Sequence, residues 1–167
     1  CRYYPEARGF HVNVRGTHWG CPPTYFYPYR GRFSSDPEFR YVPGLESGRE
    51  DPHAYLTDRL TDEALRIITA VADRPFFLNL CYYTVHVPVE GKPAYVDYFR
   101  AKATSAMRHR NPGYAAMVRS LDENVGRVLA KLDELGIAEK TIVFFFSDNG
   151  GYVGDWQGQR VTNNYPL

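Results

Sequence analysis

Cysteine is scarce in this sequence, with Cys1, Cys21 and Cys81 the only three among 167 residues. Three scattered cysteines exclude a disulfide framework and a cysteine-based zinc site. An excess of one charge sign is also lacking, since 20 Lys and Arg residues face 19 Asp and Glu residues. That balance gives no electrostatic basis for binding nucleic acid or an anionic membrane. Apolar runs stay well short of the roughly 20 residues that a membrane-spanning helix needs.

Aromatic residues, by contrast, make up 16% of the chain and are concentrated towards its beginning. Residues 1–56 show no sustained hydrophobic period and are rich in glycine, proline, tyrosine and arginine. This composition is typical of a loop-rich segment with short strands in places. His18 and Trp19 lie in this segment and are candidates for binding a sugar or another planar ligand. Packing in the core is the commoner role of such aromatic residues.

Two amphipathic helices are predicted downstream. Apolar residues repeat at helical spacing over residues 56–71 and again over residues 117–135. Thr57 or Asp58 is expected to cap the start of the first helix, and Gly136 is expected to end the second.

Two short and almost wholly apolar runs, at residues 76–81 and 141–146, follow these helices. Such runs are typical of strands that are buried on both faces of a parallel sheet. Between them lies a long connection, residues 87–113, with one short helix expected over residues 93–102. The alternation of helix and strand predicts an α/β fold with parallel strands.

Polar side chains follow both predicted strands. In an open parallel sheet, ligands bind beyond the carboxyl ends of the strands, which is where His86, Asp148 and Asn149 are expected. A carboxylate and an amide oxygen are ligands that calcium or magnesium prefers, and a histidine exchanges a proton near neutral pH. A plain Asp-Asn-Gly-Gly turn and a hydrogen-bonded loop histidine remain as alternatives.

Four stretches, in this order along the chain, resemble formylglycine-dependent sulfatases of the alkaline phosphatase superfamily. The stretches are residues 4–10 with Arg-Gly-Phe, residues 74–88 with His86, residues 114–136 with Ser-Leu-Asp-Glu-Asn, and residues 141–151 with Asp-Asn-Gly-Gly. The resemblance implies part of an alkaline-phosphatase-like sandwich, with a mostly parallel central sheet flanked by helices. It also implies hydrolysis of a sulfate ester to an alcohol and inorganic sulfate, with a hydrated formylglycine as the nucleophile.

The resemblance assigns roles to three residues. Asp148 and Asn149 match two ligands of the family's metal, which is normally Ca²⁺ and less commonly Mg²⁺, and His86 matches the histidine that assists the leaving alcohol. The implied partners are a sulfated small molecule or sulfated glycan and a formylglycine-generating or other sulfatase-maturing enzyme, with no nucleic acid. Many members are exported, so a periplasmic or secreted location is expected.

The sequence also departs from the family pattern. Cys21 precedes Pro-Pro-Thr-Tyr and Cys81 precedes Tyr-Tyr-Thr-Val, so neither lies in the family's Cys-x-Pro-Ser-Arg motif. The early Asp-Asp metal pair is missing too. The expected organisation is therefore a partial sulfatase catalytic domain, an internal fragment that is inactive alone, whose formylglycine derives from a Cys or Ser elsewhere. Its parts are an aromatic loop-rich segment (1–56), a helix-strand-helix-strand core ending in a metal-binding loop (57–151) and a truncated loop (152–167).

Two alternatives stay open. A phosphodiesterase or phosphonate hydrolase of the same superfamily would share the fold and the chemistry of the metal site. A non-catalytic relative would use the aromatic segment to hold a sulfated glycan without cleaving it.

Overall fold

Three α-helices are the longest elements among the residues that the structure describes. The computed structural model describes residues 4–14, 19–33, 36–45, 51 and 53–165. Helix α1 spans Leu56–Val71, α2 spans Pro93–Lys102 and α3 spans Pro112–Glu134, and α3 packs against both of the others. Helices α1 and α3 confirm the prediction from apolar periodicity, and α2 confirms the short helix expected in the connection. No helix among the described residues has the length and apolar character to cross a membrane.

Capping hydrogen bonds are present at both ends of α3. The side chain of Asn111 accepts a hydrogen bond from the backbone N–H of Tyr114 at 3.0 Å and thereby caps the first turn. At the other end Gly136 adopts a φ of 65°, and the N–H groups of Gly136 and Ile137 return to carbonyls of the last turn. This is the Schellman arrangement that a glycine after the last helical turn predicts.

The start of α1 differs from the prediction. Its N-cap residue is Tyr55, with no side-chain cap, rather than Thr57 or Asp58. The Asp58 carboxylate instead accepts a hydrogen bond from Asn124 Nδ2 at 2.7 Å and pairs with Lys92 Nζ at 2.7 Å. Asp58 therefore joins α1 to α3 and to the residue before α2, because tertiary partners occupy both of its oxygens.

The main hydrophobic core lies between the aromatic N-terminal segment, α1 and α3. Its buried members are Tyr25, Tyr29, Val42, Leu45, Tyr55, Leu56, Leu60 and Met117. The three buried tyrosines therefore pack in the core.

Strands β1 (Arg30–Phe33) and β2 (Asp36–Tyr41) form an antiparallel hairpin in the aromatic N-terminal segment. A second, shorter antiparallel pair joins β3 (Asp155–Trp156) to β4 (Gln159–Arg160).

Neither of the two predicted buried strands, at 76–81 and 141–146, is formed among the residues that the structure describes. Both sheets there are two-stranded and antiparallel, so the expected mostly parallel central sheet is not present. Phe77 is 78% exposed, and Phe144 and Phe146 are each 82% exposed. A hydrophobic run indicates that a segment is stable when it is buried. It does not show that neighbouring strands are present to bury it.

Candidate active site

His86 lies at the protein surface, in the segment 82–90 between α1 and α2, here called the histidine loop. Its Nδ1 lies 2.9 Å from the carbonyl oxygen of Val87. Because a carbonyl oxygen only accepts hydrogen bonds, Nδ1 carries the proton in this contact. The other ring nitrogen, Nε2, is therefore the atom that can exchange a proton with a ligand.

Two buried tyrosines hold the histidine loop in place. Tyr25 Oη donates to the carbonyl oxygens of Tyr83 at 2.7 Å and of His86 at 3.1 Å. Tyr55 Oη donates to the carbonyl oxygen of Glu90 at 2.8 Å. Burial raises the pKa of both tyrosine hydroxyls well above the usual range, so both remain protonated donors at neutral pH.

Side-chain hydrogen bonds also attach the histidine loop to the aromatic segment and to α1. Glu90 Oε2 accepts hydrogen bonds from Thr24 Oγ1 at 2.7 Å and from the backbone N–H of Tyr25 at 2.8 Å. The hydroxyls of Thr57 on α1 and Thr84 in the loop lie 2.6 Å apart. The aromatic segment and α1 therefore fix the backbone that carries His86.

We expect Tyr25→Phe to destabilise the fold by about 1–3 kcal/mol, because it leaves two carbonyl oxygens without their donor. Tyr98→Phe is the matched control, since the Tyr98 ring is 51% exposed, and it should change stability by less than about 0.5 kcal/mol. Urea unfolding of both variants measures the difference. Equal stability of the two variants would show that the Tyr25 hydroxyl does not hold the loop.

Asp148 and Asn149 are exposed in residues 147–151, here called the metal loop. Asp148 Oδ1 accepts the backbone N–H of Asn149 at 2.9 Å, and Ser147 Oγ donates to the Asn149 carbonyl. Asp148 Oδ2 and Asn149 Oδ1 accept no hydrogen bond from any residue that the structure describes. Adjacent hard oxygens of this kind suit Ca²⁺ or Mg²⁺, although they supply only part of the six to eight ligands that calcium takes.

Glycine is required in the metal loop because neighbouring groups approach its backbone closely. A Cβ at Gly151 would lie 2.3 Å from Tyr114 Oη and 2.7 Å from Thr162 Cγ2. A Cβ at Gly150 would lie 2.6 Å from Asn164 Nδ2. Any side chain at either position would displace these neighbours.

Two alanine substitutions should have opposite effects on stability. We expect Gly151→Ala to cost about 1–3 kcal/mol through overpacking against Tyr114. Gly126→Ala, in the exposed face of α3 with nothing near its Cβ position, should stabilise by about 0.5–1 kcal/mol. Chemical unfolding measures both changes, and stabilisation by Gly151→Ala would contradict the close packing of the metal loop.

The predicted site residues share no direct bond in the part of the chain that the structure describes. Among the described residues, no hydrogen bond or ion pair joins His86 to Asp148 or Asn149, and no group of three or more His, Cys, Asp or Glu residues could hold a metal. Trp19 packs its ring edge-on against Tyr41, with centroids 5.1 Å apart. His18 lies outside the described residues. The convergence of these side chains therefore stays a prediction.

Comparison with known proteins decides the family. A sequence model described as Sulfatase matches residues 7–167, which include both the histidine loop and the metal loop. This chain belongs to the sulfatase family. A sulfatase of Formosa agariphila is 39% identical over 123 residues, which cover 68% of this chain and 21% of that protein. Mouse steryl-sulfatase is 38% identical over 115 residues, which cover 68% of this chain and 17% of that protein.

Longer matches give the same family. Mouse N-acetylgalactosamine-6-sulfatase is 31% identical over 160 residues, which cover 89% of this chain and 28% of that protein. The chain in the crystal structure of Ps i-CgsB is 31% identical in sequence to this chain, and the two superpose with a TM-score of 0.57. The match covers 72% of this chain and 26% of that chain. This sulfatase chain therefore spans less than a third of the length of these relatives.

Neither described cysteine of the sulfatase chain fits a formylglycine site. Cys21 Sγ lies 3.5 Å from Arg40 Nη1, and burial raises the pKa of its thiol although Arg40 acts in the opposite direction. Cys81 is exposed, and its Sγ lies 3.4 Å from Asn79 Oδ1. Each lacks the Ser and Arg of the family motif. The donor set of the metal loop, by contrast, fits part of a calcium shell.

Proposed function

We propose that the full-length protein hydrolyses sulfate esters to an alcohol and inorganic sulfate. This chain would contribute the acid-base His86 and the metal ligands Asp148 and Asn149 to its catalytic domain. The observation that carries the proposal is the sulfatase match over residues 7–167, which spans both loops in order. The relatives' names include a steryl-sulfatase and an N-acetylgalactosamine-6-sulfatase, so the substrate class proposed is a sulfated small molecule or a sulfated glycan.

His86 acts at the leaving oxygen in this proposal. Cleavage of the ester leaves negative charge on the departing alcohol oxygen, and a positioned acid lowers that cost by donating a proton. The contact of Nδ1 with the Val87 carbonyl makes Nε2 the donating atom. After the transfer the imidazole is neutral, keeps its proton on Nδ1 and regains a proton at Nε2 before the next turnover.

Two groups are proposed beyond the chain's own side chains. Calcium, when bound, supplies positive charge that neutralises the sulfate oxygens. Asp148 Oδ2 and Asn149 Oδ1 would hold it together with ligands from other parts of the protein. A formylglycine from a Cys or Ser outside these 167 residues, introduced by a sulfatase-maturing enzyme, would supply the nucleophile. Export to the periplasm or beyond stays a prediction from the family resemblance.

We further propose that residues 76–81 and 141–146 become interior strands when the rest of the sulfatase domain is present. The high exposure of Phe77, Phe144 and Phe146 supports this proposal, because each buried phenylalanine gains about 1.5–3 kcal/mol of hydrophobic stabilisation. The matched relatives are several times longer than this chain, so a full-length protein of their size would have sequence to supply neighbouring strands.

Paired substrates test the proposed function. The purified full-length protein is expected to hydrolyse para-nitrophenyl sulfate in preference to bis-para-nitrophenyl phosphate, and residues 1–167 alone are expected to hydrolyse neither. Preference for the phosphate diester would favour the phosphodiesterase alternative, and binding of a sulfated glycan without cleavage would favour the non-catalytic one. Turnover of the sulfate by residues 1–167 alone would overturn the placement of the nucleophile outside this chain.

A further inference from the structure

A single side-chain amide binds the metal loop from thirteen residues further along the chain. Asn164 Oδ1 accepts the backbone N–H of Gly151 at 2.9 Å, and Asn164 Nδ2 donates to the Gly151 carbonyl oxygen at 2.9 Å. One amide thereby satisfies both backbone groups of one residue, in the manner of a residue pair in an antiparallel sheet. The same amide occupies the space that a Cβ at Gly150 would need.

Asn164 itself belongs to a fixed segment, residues 160–165, here called the strap. His109 lies between two of its groups, with Nδ1 3.2 Å from Thr162 Oγ1 and Nε2 3.1 Å from the carbonyl oxygen of Tyr165. The guanidinium of Arg108 lies 3.7 Å from the centre of the Tyr165 ring. These contacts hold the strap on both sides of Asn164, since they involve residues before and after it.

The strap is also attached to the first turn of α3. Asn111 Nδ2 donates to the carbonyl oxygen of Arg160 at 3.0 Å, while Asn111 Oδ1 caps the helix at the N–H of Tyr114. Val161 and Thr162 are buried beside this turn. The Asn164 amide is therefore presented to the metal loop by a strap that is attached to the start of the long helix α3.

We infer that Asn164 is a positioning residue for the Asp148–Asn149 pair and acts through Gly151. The inference rests on the proposed metal-binding function. Asp148 and Asn149 precede Gly151 by three and two residues, so fixing the Gly151 peptide restricts where their oxygens lie. Contacts of this kind behind direct metal ligands typically change metal affinity by about 10–100-fold.

The test uses the full-length protein and two readouts. Calcium binding is titrated by calorimetry, and hydrogen–deuterium exchange follows the peptide that contains Gly151. Asn164→Ala removes the amide, and Asn164→Gly removes it while accommodating the φ of 52° at this position. Asn163→Ala is the matched control, because the Asn163 amide accepts the N–H of Tyr165 within the strap. Asp148→Ala is titrated in parallel.

Both Asn164 variants are expected to weaken calcium binding by about 10–100-fold and to speed exchange at Gly151, whereas Asn163→Ala should do neither. Unchanged exchange at Gly151 in Asn164→Gly would overturn the inference. So would unchanged calcium affinity in Asn164→Gly alongside lost affinity in Asp148→Ala, with the proposed function left standing. Wild-type affinity in Asp148→Ala would instead overturn the proposed metal site, and the inference with it.

Discussion

His86→Ala in the full-length protein is expected to lower turnover of an aryl sulfate by about 100- to 10,000-fold, the usual contribution of a positioned general acid. The loss should fall on kcat with little change in KM, because the proton is needed in the transition state rather than for substrate binding. Steady-state kinetics measure the split.

The fold should survive this substitution. The His86 ring is exposed and its hydrogen bond goes to the adjacent Val87 carbonyl, so thermal unfolding of the variant should match that of the parent. His53→Ala removes another exposed histidine and should leave kcat unchanged. Full activity in His86→Ala would contradict the acid-base role of His86. Restoration of turnover by added imidazole would support that role.

Asp148→Ala is expected to weaken calcium binding by more than about 100-fold, because the proposed function makes Asp148 a direct ligand, and a direct ligand contributes more to affinity than the contacts behind it. Turnover should fall with it, because in the proposed mechanism the metal would supply the charge that the sulfate oxygens require. Calorimetric titration and a sulfate-release assay on the same preparation measure the two effects.

Asp122→Ala provides the matched control for charge. Asp122 is an exposed carboxylate on α3, so its removal changes the net charge equally without touching the metal loop. Calcium affinity that falls equally in both variants would show a general electrostatic effect. Unchanged affinity in Asp148→Ala would place the metal elsewhere.

The helices could be predicted from the sequence because their signal is local. Leu56, Leu60, Ala64 and Ile68 recur every four residues and all are buried on one face of α1. The strands could not, because the apolar run at 141–146 has the same composition whether or not neighbours cover it. Strand pairing depends on partners distant in sequence, and here the described residues do not supply them.

The candidate site divides in the same way. His86 and Asp148 carry a sequence signal, since each combines a chemically active side chain with a position after an apolar run. The residues that hold these two in place carry no such sequence signal. Tyr25 reaches the His86 carbonyl across 61 residues, and Asn164 reaches Gly151 across 13. No local sequence pattern marks such contacts. A tyrosine or asparagine in a loop looks the same in the sequence whether or not it bonds a distant backbone group.

The most direct test of the central claim is to map formylglycine in the active full-length protein by peptide mass spectrometry. The claim is that this chain carries the histidine and metal loops of a sulfatase whose nucleophile lies elsewhere. The expected result is an aldehyde in a peptide outside residues 1–167, with Cys21 and Cys81 unmodified. Formylglycine at Cys21 or Cys81, or sulfate hydrolysis by a protein that contains no formylglycine, would contradict it.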